Sequence, residues 1–88
     1  MNTVKIEKIN KVLANYFNNN KNVKKVPALE LMDEFVKAGV FKSDSEKRPG
    51  LPIRNVLREL DENNELHLIP YVHVERKNKN RNWFFIAI

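Results

Sequence analysis

The apolar spacing of this chain changes character once, between Leu60 and Leu66, and that change fixes the class of fold. Up to Leu60, apolar residues recur at intervals of three and four, the period of helices that bury one face. From Leu66 onward, β-branched and aromatic residues dominate and a single basic cluster interrupts them, which is the composition of strands. Helices followed by strands predict an α+β domain rather than an alternating one. With 88 residues, 42% of them apolar, the chain suits one folded domain with one small core.

The first stripe is Ile6, Ile9, Leu13, Tyr16 and Phe17, with Val12 at its edge. It predicts a helix over about residues 3–18, which the run Asn18-Asn19-Asn20-Lys21-Asn22 ends. Lys24-Lys25-Val26-Pro27 reads as a short extended segment, because proline biases the residue before it away from helix. Ala28, Leu31, Met32, Phe35 and Val36 predict a second helix over about 28–38, stopped by Gly39. Val40 and Phe41 then fold back onto the core. Lys42 to Gly50 is a polar loop. Ile53, Val56, Leu57 and Leu60 mark a third helix over about 51–63.

Two strands are expected after it, over about 66–75 and 83–88. Between them Arg76-Lys77-Asn78-Lys79-Asn80-Arg81-Asn82 places four positive charges in a seven-residue hairpin loop. A tip at Lys77 to Asn80 sets Arg76 opposite Arg81, Val74 opposite Trp83, His73 opposite Phe84 and Val72 opposite Phe85. Pro70 cannot donate to a ladder, so it belongs at an edge or a bulge.

This order of elements resembles the winged helix-turn-helix superfamily over essentially the whole chain. The stripes Ile6/Ile9/Leu13, Leu31/Met32/Phe35 and Ile53/Val56/Leu57/Leu60 carry the resemblance, with the basic hairpin that ends Asn82-Trp83-Phe84-Phe85. It is architectural and matches no narrower family. It implies a three-helix winged-helix domain with a C-terminal two-stranded β-hairpin as the wing. It also implies a DNA-binding role, of the kind met in transcription regulation, with the third helix at a groove and the wing on phosphates. One departure bears on the third helix. A tight helix-turn-helix has a turn of 3–4 residues, whereas about twelve residues, Gly39 to Gly50, separate these two helices.

The chain carries a net charge of +5, which suits a nucleic-acid partner. Arg76, Lys77, Lys79 and Arg81 can neutralise phosphates and release counterions. Arg54 and Arg58 lie four apart on one helix face, with Asn55 beside them, and these residue types read guanine and adenine edges. The charge is unevenly placed. Residues 1–25 hold six basic residues against one acidic; residues 26–65 hold six against nine; residues 66–88 hold four against one. The helix that would read bases therefore sits in an acidic middle. Two plainer readings stand beside these. Charges on a hairpin discourage edge pairing, and Arg58 can pair locally with Asp61 or Glu62. Lys5, Lys8, Lys11, Lys21, Lys24 and Lys25 either extend a phosphate-binding surface or form a solvated face.

Trp83 to Ile88 is apolar on both strand faces, so a second reading is a protein–protein interaction module. In that reading the aromatic last strand meets a second copy, another protein or the remainder of a larger protein of which this is the N-terminal domain. Other classes find little in the sequence. There is no cysteine, which removes disulfides, thiolate metal sites and a cysteine nucleophile. His67, His73 and Glu75 share strand parity, but strand rise sets residues six apart about 20 Å from each other. Ser43 and Ser45 have no histidine nearby in sequence, and no phosphate-binding or dinucleotide fingerprint is present. No catalytic residue, cofactor, metal or small-molecule substrate is expected. No stretch approaches a membrane span or a secretory leader, so the expected location is cytoplasmic.

Overall fold

The computed structural model describes residues 3–88 and shows an α+β domain with three helices and a three-stranded antiparallel sheet. Helix α1 spans Thr3–Asn19 and buries Ile6, Ile9, Leu13 and Phe17. Asn20 ends it by donating its amide to the Tyr16 carbonyl at 2.8 Å. Strand β1, Lys25–Pro27, leads into a single 3-10 turn, Ala28–Leu31, and then into helix α2, Met32–Lys37. Helix α3 spans Leu51–Glu62 and buries Ile53, Val56, Leu57 and Leu60. A second 3-10 turn, Leu66–Leu68, precedes strands β2, Val72–Arg76, and β3, Arg81–Ile86.

Both α2 and α3 end in the same hydrogen-bonded motif. Gly39 (φ 77°) and Asn64 (φ 57°) adopt left-handed backbone. Val40 N–H reaches the Phe35 carbonyl at 2.9 Å, and Glu65 N–H reaches that of Leu60 at 2.7 Å. The bond from five residues on satisfies carbonyls that the helix leaves free. In α2 it also turns Val40 into the core and sets the Phe41 ring 6.2 Å from Phe35, edge to face.

The hairpin register is the one expected: Arg76 faces Arg81, Val74 faces Trp83, His73 faces Phe84 and Val72 faces Phe85. Two features of the expected hairpin need correction. First, the sheet has three strands, in the order β1-β3-β2, because Lys25, Val26 and Pro27 pair with Ile86, Phe85 and Phe84. The last strand is central, with Trp83 and Phe85 buried on the core face and Phe84 and Ile86 half-buried on the other. Second, the strand expected over 66–75 begins only at Val72. Beyond Asn64, successive bonds Leu68 N–H to Glu65 O, Ile69 N–H to Leu66 O and Val72 N–H to Ile69 O curl the chain. Asn10 on α1 pins this curl through the Leu68 carbonyl at 2.9 Å. Pro70 sits in the turn ahead of β2, outside the ladder.

The core lies between the helices and one face of the sheet. Phe35, Ile53, Leu57, Leu60, Ile69 and Phe85 are fully buried there. Val26, Trp83 and Phe85 are the sheet's buried side chains, and Val72 and Val74 pack against them from β2. Phe17 stacks on Tyr71 with centroids 5.8 Å apart, which ties α1 to the approach to β2. No helix of the described residues is long and apolar enough to cross a membrane.

Candidate functional site

The start of α3 is set by one carboxylate and one glycine. Asp44 Oδ1 accepts from the N–H groups of Ser45 (2.7 Å) and Gly50 (2.9 Å), and Ser45 Oγ accepts from Arg48 N–H at 3.1 Å. These bonds close the polar loop against the helix and give Ser45 a structural task. Gly50 is buried at φ 84°. A Cβ there would lie within 2.9 Å of Leu29 Cα and nearer still to Leu29 Cβ. Only glycine meets both demands, and its contact fixes Leu29 beside the first turn of α3.

From that start, α3 presents Arg54, Asn55 and Arg58 outward. Arg54 donates an Nη–H to the Pro49 carbonyl at 3.2 Å, while its Nε is buried without an acceptor. Arg58 Nη1 donates to Asn55 Oδ1 at 3.3 Å. The local pairing of Arg58 with Asp61 or Glu62 is therefore replaced by a bond to Asn55.

Asp61 is taken instead by the hairpin. Arg76 makes a two-pronged bond to its carboxylate (2.7 and 2.9 Å), and Arg81 adds a third at 2.9 Å. Glu62 lies 3.7 Å from Arg81 as well. Strand parity explains the arrangement. Arg76 shares a face with Val72 and Val74, and Arg81 shares one with Trp83 and Phe85. Both guanidinium groups thus leave the sheet on its core side, where the last turns of α3 run. The Arg76 hydrogen bond lowers the Asp61 pKa from 3.8 to about 2; burial opposes it, and Arg81 adds to the lowering. Asp61 in turn raises that of Arg76. On the opposite face, Lys25 pairs with Glu75 and sits 4.3 Å above the Phe84 ring. That ion pair lowers the Glu75 pKa, with His73 adding to the effect from 3.6 Å.

Four of the seven candidate residues converge. Arg54, Arg58, Lys79 and Arg81 line one cleft of about 290 Å³ between α3 and the hairpin, with Asn80, Asn82 and Trp83. No carboxylate lines it. Asn55, Arg76 and Lys77 lie outside it: Asn55 holds Arg58, Arg76 braces Asp61, and Lys77 is exposed at the hairpin tip, its N–H bonded to the Asn80 carbonyl at 2.8 Å. A second depression of about 210 Å³ shares Arg54, Arg81, Asn82 and Trp83 and continues over Pro27, Leu29 and Phe84. A larger depression, about 530 Å³, lies elsewhere, between α1 and α2. Its charges are Glu34 and Lys37, one of each sign, so it offers an anion nothing comparable. Lys5, Lys8 and Lys11 border two further depressions, of about 120 and 310 Å³, beside Gly39 and Ala38, which share no lining residue with the basic cleft.

Asn80 and Asn82, hairpin asparagines able to hydrogen-bond phosphates or base edges, also line the cleft, whereas Leu29 and the hairpin role of Asp61 are not announced by the sequence. Parity along the hairpin carries the signal for Asp61, because two arginines in phase with buried valines and aromatics must meet something acidic or water. Comparison of the chain with protein-family models, curated proteins and solved structures returned no match.

Proposed function

We propose that this chain is a small non-enzymatic nucleic-acid-binding module of winged-helix type, which contacts double-stranded DNA through the β2–β3 hairpin and α3. The observation that carries the reading is the convergence of Arg54, Arg58, Lys79 and Arg81 on one cleft without a lining carboxylate. Two of these cations come from a helix and two from a hairpin more than twenty residues away. Such a cluster raises the local anion concentration and gains from counterion release on a phosphate backbone.

The side chains divide by their existing partners. Arg58, Lys77 and Lys79 are exposed and take phosphates at small cost. Arg81 contributes positive potential while held by Asp61, and Arg76 acts as a brace for the hairpin. Arg54 is tied to a backbone carbonyl and Asn55 to Arg58, so the helix grips the backbone more than it reads base edges. The alternative is a protein contact through the last strand, whose edge is covered by β1 over residues 84–86 and is open at Arg81, Asn82 and Trp83.

The double variant Lys77→Glu/Lys79→Glu tests the hairpin's role. Binding to a random-sequence duplex falls at least tenfold, and the melting temperature is unchanged because neither side chain holds the fold. Unchanged affinity would refute the assignment.

A further inference from the structure

The basic cleft does not end at its cations. Through Arg54, Arg81, Asn82 and Trp83 it runs into a depression whose remaining lining, Pro27, Leu29 and Phe84, is apolar. Leu29 is 46% exposed, one of three large apolar side chains left open among the described residues, and the Gly50 contact fixes its backbone there. Asn82 is exposed at the junction, with an amide that both donates and accepts. An apolar end, a hydrogen-bonding junction and a cationic end in sequence match the parts of one nucleotide: base faces, base edge and phosphate. A continuous duplex keeps its base faces stacked and cannot use the apolar end.

We propose that this composite cleft takes an unpaired nucleotide, with its phosphate among Arg58, Lys79 and Arg81 and its base against Pro27, Leu29 and Phe84. The proposal rests on the nucleic-acid reading and narrows it to duplexes that carry an overhanging or unpaired base. The cost of unstacking is least for a base that is already unpaired. Contact of its face with apolar and aromatic side chains then adds affinity with little dependence on sequence.

Fluorescence anisotropy at about 50 mM salt separates the two levels. The probes are a blunt duplex, the same duplex with a short single-stranded thymine overhang, and that overhang with abasic sites in place of the thymines. The thymine overhang binds about tenfold more tightly than the blunt duplex, and the abasic overhang, which keeps every phosphate, loses that gain. Leu29→Ser, a change at an exposed position, abolishes the gain. Equal affinity for thymine and abasic overhangs overturns this inference while the nucleic-acid reading stands. Failure of all three probes to bind overturns both. Displacement of the overhang probe by polyglutamate as readily as by oligothymidine assigns the cleft to an acidic protein and overturns it too.

Discussion

At Asp61, one carboxylate accepts hydrogen bonds from two arginines that the chain brings back fifteen and twenty residues later. The side chain is only 13% exposed, whereas Arg76 is 57% exposed, so water screens part of the interaction. Asp61→Asn should cost about 1–2 kcal/mol, read as a lower melting temperature at neutral pH. The sign of the pH dependence follows from the lowered pKa. The carboxyl protonates more readily in the unfolded chain, so its stabilisation is complete above pH 3.8 and lost as pH falls toward about 2. The difference in melting temperature between wild type and Asp61→Asn should therefore close over that window; a difference that holds constant through it would contradict the ion-pair account. The same variant releases Arg76 and Arg81 from their acid, so it should bind a DNA duplex several-fold more tightly at low salt despite being less stable. The two helix-flanking glycines offer a second test. Gly39→Ala meets no atom within 4 Å and carries only the left-handed backbone penalty, about 1 kcal/mol. Gly50→Ala adds a collision with Leu29 and should cost about 2–4 kcal/mol. Denaturant unfolding of the pair decides it, and equal losses would show that the Leu29 contact yields freely.

At the scale of elements, the three helix stripes and the hairpin register were legible because each follows from local spacing. The tip Lys77 to Asn80 sets parity, and parity then places Val74 against Trp83 without further information. Strand β1 was legible only as an extended segment. Three residues ending in a proline announce a backbone direction but not a partner sixty residues away. The stretch 66–71 departs from the expected strand for a different reason. Leucine, isoleucine and tyrosine there fit a strand by composition, but the left-handed Asn64 and the carbonyl of Leu60 fix the chain's path out of α3 before propensity can act. Hydrogen exchange can check the third strand. Ala87 N–H bonds to the Lys24 carbonyl at 3.0 Å, so it should be protected as strongly as the amides inside β3. A hairpin without β1 would leave it exchanging at the rate of a free terminus.

For the whole molecule, the +5 net charge is less informative than where folding collects it. The i, i+4 pair Arg54/Arg58 and the hairpin cations were legible as separate features. Their meeting in one cleft was not, because it depends on how α3 packs beside the sheet. The acidic middle of the sequence also changes its meaning. Asp61 and Glu62 pair with Arg81 at the wall of the cleft, while neither they nor Glu59 line it, so Arg54, Arg58 and Lys79 face it without an acidic partner. The proposed grip on a phosphate backbone makes a numerical commitment. Titration of a random-sequence duplex at about 50 and 200 mM salt tests it most directly. Three phosphate contacts, by Arg58, Lys77 and Lys79, predict an affinity loss of about 40-fold across that interval. Binding that is indifferent to salt, or no binding at the lower concentration, would contradict the account.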